Sequence, residues 1–240
     1  SGWAAALGYS LQLYFDFSAY SDMAVGLAMM MGIRFPQNFN SPYKAANISE
    51  CWRRWHITLS RWLRDYVFVP LGGSSGTKLH TLRNIYITFI LAGLWHGAAW
   101  TFVWFGIAHA TALSIHAVAR SRGWWAPPAA VSRTLTYVFV VLTQVPFRSP
   151  DMAVAGNVFA AMFGAHGLGI QDVTSHALAT SVSALFIAQL IGLLVWVNVA
   201  PNTWDIKLRP RRVTALAMGA GLAVSVVLLA VPSPFLYFRF

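Results

Sequence analysis

Two histidines stand among tryptophans in segments otherwise suited to apolar surroundings. His56 lies in CWRRWHITLSRWL (51–63) and His96 in AGLWHGAAW (92–100). A polar ring inside an uncharged run is expensive at membrane depth and is a functional candidate by default. Burial favours a neutral imidazole able to accept a proton, which suits a general base acting on a hydroxyl. The alternative is interhelical hydrogen bonding. On a helix Gly93, His96, Gly97 and Trp100 share a face, and the two glycines leave room for another backbone or a thin acyl chain. His56 sits at the border of an apolar and a basic face, one turn from Ser60, where solvation or hydrogen bonding competes with a catalytic role. His109 and His116 are seven apart on one face; without a nearby carboxylate or thiolate they read as helix-to-helix hydrogen bonding rather than as metal or haem ligands. His80, His166 and His176 fall in loops.

Two carboxylates, Asp16 and Asp22, lie in YFDFSAYSDMAVG (14–26). Inside a span they must face protein or a wet cavity. They are expected either to pair with arginines of the 53–64 segment or to line a tunnel. Arg53, Arg54, Arg61 and Arg64 suit the phosphates of an anionic donor such as acetyl-CoA, an acidic carrier protein, or lipid headgroups. No phosphate-binding loop, serine-hydrolase elbow or zinc-protease motif occurs, and no metal or bound cofactor is expected.

The elements that must hold these groups are membrane helices. Of 240 residues 57% are hydrophobic and 10% charged, against about 25% charged in a soluble domain. Mean hydropathy is +0.56. The net charge of +10 does not point to nucleic acid, because the 17 Lys and Arg cluster between apolar runs, as cytoplasm-facing loops do. The single Cys51 excludes a disulfide framework. Spans are expected at 1–33, 84–119, 131–147, 178–200 and 213–231, around an interfacial or re-entrant segment at 34–83. The uncharged run 85–119 would measure roughly 50 Å as one helix, too long for a core of about 30 Å. It should therefore be two passes bent near Gly93–Gly97. Charge asymmetry then places 34–83, 120–133 and 201–212 inside and 148–177 outside. Within 34–83, Asn47 and Glu50 form a capping box. Trp52, Trp55, Leu59, Trp62, Leu63 and Tyr66 share one arc of an amphipathic helix, and Arg61 can pair with Asp65.

The stretch from YFDFSAYSDMAVG through ECWRRWHITLSRWLRDYVFVPLGG, followed by GLWHGAAWTFVWFG, resembles the membrane-bound O-acyltransferase (MBOAT) family. The resemblance is strongest to its bacterial branch of alginate and other polysaccharide O-acetyltransferases. It covers residues 9–110 and continues in pattern through FRSPDMAVAGNVFAAMFG to the terminal FLYFRF. It implies an all-α integral membrane protein, a multi-helix bundle with a tunnel and interfacial or re-entrant helices. It also implies acyl transfer from a cytoplasmic thioester such as acetyl-CoA to an extracytoplasmic polysaccharide hydroxyl. His96 maps onto the family's catalytic histidine and His56 onto an auxiliary one. Asp16, Asp22, Arg53, Arg54, Trp55, Arg61, Arg64, Trp95 and Gly97 would line the tunnel or donor entrance. Family members are about twice as long, so these 240 residues are expected to be the C-terminal part of one membrane domain. That part would sit multi-pass in the bacterial inner membrane, in contact with lipid and with a separate periplasmic acyltransferase. Cys51 stands where the family has an aromatic residue. Peptidoglycan O-acetylation and teichoic-acid D-alanylation are alternatives within the class. A proton-coupled transporter using Asp16, Asp22 and the histidines is the alternative outside it.

Overall fold

The computed structural model describes residues 2–124, 127–165, 177–207, 209 and 211–228, the side chains of 177–183 excepted. His166, His176, residues 229–231 of the last expected span and the terminal FLYFRF lie outside the described residues. Among those described the chain is all helical: α1 (Gly2–Met30), α2 (Ile48–Arg54), α3 (Ile57–Leu63), α4 (Lys78–His96), α5 (Trp100–Ser121), α6 (Ala129–Arg148), α7 (Met152–Met162), α8 (Ala177–Val199) and α9 (Arg212–Leu228).

Local chemistry sets the boundaries. Asn47 caps α2 by accepting the Glu50 N–H at 2.8 Å, and the Glu50 carboxylate accepts the Ala46 N–H at 2.8 Å, so the capping box forms. Thr77 caps α4 and Asp151 caps α7. The α7 helix occupies part of 148–177, where only a loop is expected. Its cap Asp151, three residues before the Val154 N–H it accepts, is the overlooked start signal.

The run 85–119 is two helices, α4 and α5, broken at Gly97–Ala99 and folded into a hairpin. A β-carbon on Gly93 would collide with the Phe102 carbonyl, and one on Gly106 with the Phe89 carbonyl. These glycines let the two backbones touch. Gly97 is likewise occupied, since a β-carbon there would lie 2.5 Å from the Phe102 ring. The expected room for a thin acyl chain beside Gly93 and Gly97 is therefore taken by α5.

The helix α6 packs on α5, α1 and α7, and α1 also meets α7 and α8. One buried cluster joins Leu11 of α1, Tyr43, Ile48, Cys51, Val140 and Val197. Cys51 is thus fully accommodated in the core. A second cluster joins Ala6, Val141, Val145, Ala155 and Met162. Outward positions are apolar instead of charged: Leu185, Ile187, Ile191, Val195, Leu216 and Val224 are all exposed, as lipid-facing side chains are. Two described helices, α5 and α6, are long and apolar enough to cross a membrane. The 29-residue α1 has the length but carries Asp16 and Asp22.

The basic loop after α8 docks on the segment between α1 and α2. Gln37 donates to Asn202 Oδ1 at 3.2 Å, Asn202 donates to Ser41 Oγ at 3.2 Å, and Lys44 donates to the Ala200 carbonyl. The segments expected on one side of the membrane, 34–83 and 201–212, are thus in contact.

Candidate functional site

The expected amphipathic helix over 52–66 is broken where it matters most. Trp55 is extended and His56 is left-handed, at φ 44 and ψ 54. For a residue with a β-carbon that conformation costs about 1–2 kcal/mol, so surrounding contacts must impose it. Asn38 does this. Its carbonyl accepts the Ile57 N–H at 2.9 Å, and its Oδ1 accepts from Thr58 N–H at 3.2 Å and Thr58 Oγ1 at 2.9 Å. Asn40 N–H holds the other side through the Arg54 carbonyl at 2.9 Å. The break and the π-turn at Arg64–Phe68 rotate the end of the expected apolar arc outward, leaving Trp62 51% and Tyr66 69% exposed. Asp65 pairs with Arg64 at 2.7 Å instead of Arg61, and Arg54 pairs with Glu50 at 2.8 Å.

The kink turns His56 inward and fixes its chemistry. Its Nδ1 accepts the Leu59 N–H at 3.4 Å, capping α3. A neutral imidazole accepting at Nδ1 carries its proton on Nε2. That Nε2 is buried without a hydrogen-bond partner among the described residues. Phe17 stands edge-on at 4.8 Å and Trp95 at 6.0 Å.

His96 ends α4 and lines the same cavity as His56, a space of about 50 Å³. That is room for on the order of four water-sized groups. Aromatic rings hold the imidazole: Trp95 at 4.9 Å, Phe147 at 5.0 Å, and Phe102 and Phe105 at 6.3 Å. The cavity therefore presents a donor, His56 Nε2–H, and a ring free of hydrogen bonds among the described residues, His96, within otherwise mostly apolar walls.

One polar group of this cavity, and two asparagines that shape it from outside, escape the sequence reading. Gln144 of α6 is 4% exposed, and its Oε1 has no partner among the described residues. His109 also lines the cavity, but its ring is fully engaged: Nδ1 accepts from Trp52 Nε1 at 3.0 Å, and Nε2 meets Thr143 Oγ1 at 3.0 Å. It is helix-joining, as its spacing suggests. Gln144 sits in an apolar span with no periodic signal. Asn38 and Asn40, in PQNFN, could have been found as a polar cluster next to a basic helix.

Of the expected site residues, the fold brings His56, His96 and Trp55 to one cavity, with Trp95 against both imidazoles. Gly97 packs on Phe102. Arg64 lines a separate groove. Arg53 donates to Ser49 Oγ at 2.9 Å and Arg54 to the Asn40 carbonyl at 3.1 Å, while Arg61 is exposed. Asp22 lies in a pocket beside the 200–203 loop and accepts from Thr203 Oγ1 and Trp204 Nε1, both at 2.9 Å. Those bonds, not an arginine of the 53–64 segment, are what Asp22 makes. Asp16 is half-buried on α1 and does not line the histidine cavity.

Comparison with known proteins identifies the family. The family model described as MBOAT, membrane-bound O-acyltransferase family, matches residues 2–141. The chain is 45% identical over 200 residues to the probable alginate O-acetylase AlgI of Azotobacter vinelandii, covering 80% of this chain and 39% of that protein. It is 43% identical over 178 residues to the peptidoglycan O-acetyltransferase of Helicobacter pylori, covering 73% and 34%. To the teichoic acid D-alanyltransferase of Bacillus subtilis it is 39% identical over 117 residues, covering 45% and 29%. The chain thus spans about two fifths of the length of the acetylase it matches. With a family match over more than half its residues and both histidine segments inside it, the chain belongs to the membrane-bound O-acyltransferase family.

Proposed function

We propose that this chain carries the histidine site of an O-acyltransferase of the bacterial inner membrane. It would move an acetyl group from a cytoplasmic thioester, acetyl-CoA or a close equivalent, toward a hydroxyl of an extracytoplasmic polysaccharide such as alginate. The observation that carries the reading is the shared cavity: a buried, proton-bearing His56 Nε2 and the His96 ring face one acetyl-sized space. His96 removes the proton of the attacking hydroxyl as the new carbon–oxygen bond forms. His56 Nε2–H stabilises the negative charge that develops on the acyl oxygen. The carbon–sulfur bond then breaks, and the proton passes from His96 to the leaving thiolate. Where the attacking hydroxyl belongs to an intermediate acceptor and not to the polymer itself, a separate periplasmic acyltransferase would complete delivery. The similarity to acetylases covers more of the chain than the similarity to the D-alanyltransferase, which favours acetyl as the transferred group.

The test is acetyl transfer in membranes from cells making the full chain. His96→Ala should lower transfer by about 10²–10⁴-fold, the usual worth of a general base, with the protein still in the membrane. Polymer acetylated at the wild-type rate by His96→Ala would sink the assignment. A proton-flux defect with acyl transfer intact would point to a transporter.

A further inference from the structure

Trp52 faces two spaces at once. On one side its indole lines the histidine cavity of about 50 Å³. On the other it lines a groove of about 500 Å³ between α2–α3 and the α4–α5 hairpin, with Leu63, Phe89 and Leu113 in its walls. One ring thus stands between a space with room for about four water-sized groups, enough for the three heavy atoms of an acetyl group but not the five of a butyryl, and one ten times larger.

The ring is locked in place by a chain of hydrogen bonds with a single consistent direction. Trp52 Nε1–H donates to His109 Nδ1 at 3.0 Å. A neutral His109 accepting there carries its proton on Nε2, which donates to Thr143 Oγ1 at 3.0 Å. The Thr143 hydroxyl in turn donates to the Val140 carbonyl at 2.9 Å. Each donor has one acceptor, and the chain ties α2 to α5 and α6. Phe89 at 4.9 Å and Phe105 at 6.4 Å brace the indole edge-on. The tether satisfies the buried indole N–H, as a buried tryptophan requires, and it also fixes which way the ring faces between the two spaces.

We propose that Trp52 is a specificity-determining wall of the acyl site. It closes the histidine cavity against the groove and limits the transferred acyl group to two carbons. His109 and Thr143 are positioning residues that hold the wall. The inference rests on the acyl-transfer reading of that cavity. A butyryl group entering beside His56 and His96 would have to displace the indole, while with the indole shortened its two extra methylenes would extend into the groove.

The experiment offers acetyl-CoA and butyryl-CoA in equal amounts to membranes containing the full chain and reads the ratio of acetylated to butyrylated polymer by mass spectrometry. The ratio is independent of how much protein each membrane holds. Wild type should favour acetyl by at least about 10-fold, the discrimination that a tight apolar pocket achieves. Trp52→Leu should lower that ratio by about 10-fold or more. Thr143→Val keeps the indole and removes one link of its tether. It should lower the ratio several-fold, and it carries the test if Trp52→Leu fails to reach the membrane. Acetyl transfer at the wild-type ratio in every variant that reaches the membrane overturns the wall and leaves the acyl-transfer reading standing. A wild-type chain that transfers neither acyl group overturns that reading and the wall with it.

Discussion

Replacing His56 by asparagine should separate stability from activity, because the structure asks two different things of that residue. The first is conformational. His56 is left-handed and caps α3 through Nδ1. Asparagine tolerates the left-handed region better than most residues and is among the best N-caps, so the backbone loses nothing. The shorter side chain leaves a space beside Phe17, 4.8 Å away. At about 24 cal/mol per Å³, a void of about 40 Å³ costs about 1 kcal/mol, and relief of backbone strain offsets about as much. The net change in stability is within about 1 kcal/mol. The second demand is chemical: Nε2–H must project into the cavity, where it has no partner among the described residues. Asparagine whose oxygen caps Leu59 cannot project a donor as far, and losing one such donor typically costs about 10²–10³ in turnover. The assay pairs a thermal melt of the detergent-purified chain with acetyl transfer in membranes. An unchanged melt with transfer reduced about 100-fold or more is expected. Transfer within about threefold of wild type, with the protein folded, would refute the donor role. A melt lowered in proportion to activity would mean His56 acts only as structure.

Two further perturbations probe the frame around the site. Gly106→Val should destabilise the chain by at least about 1–3 kcal/mol, the usual cost of overpacking, because its β-carbon would strike the Phe89 carbonyl on the facing helix; a wild-type melting temperature would show that the hairpin can open without cost. Glu50→Gln tests the capping box: burial alone would raise the Glu50 pKa, but the Ala46 N–H and Arg54 outweigh it and hold the carboxyl below its usual value of 4.5. A depressed folded value gives stability that is complete above pH 4.5 and lost as pH falls through the lower folded value. Wild type should therefore soften on acidification below about pH 4.5 more steeply than Glu50→Gln, measured by melts across pH 3–6; parallel acid profiles would remove Glu50 from the account.

What was legible in the sequence divides along a physical line. Features set by local chemistry were readable: the Asn47–Glu50 box, the need for a break in a 35-residue uncharged run, and the helix-joining role of His109 all follow from spacing, length and the cost of burying polar groups. The arrangement of the site was not, because tertiary contacts overrule the local pattern there. The arc through Trp52, Trp55 and Trp62 describes a good amphipathic helix, and a helical His56 would sit on its border. Asn38, 18 residues away, supplies a carbonyl and a side-chain oxygen that bind Ile57 and Thr58 only if the helix stops between them, and that bends His56 inward. Gly93 and Gly97 carried the opposite ambiguity. Small residues beside a histidine signal a close approach without saying of what, and α5 supplies the answer. Gln144 gave no signal at all, since one amide in an apolar helix looks the same whether it bonds a neighbour or faces a cavity. The three groups that define the cavity thus come from a kink, a helix end and an amide near the C-terminal end of α6. The two histidines were marked in the sequence by their motifs, WRRWH and LWHG, whereas Gln144 was marked by nothing beyond its residue type.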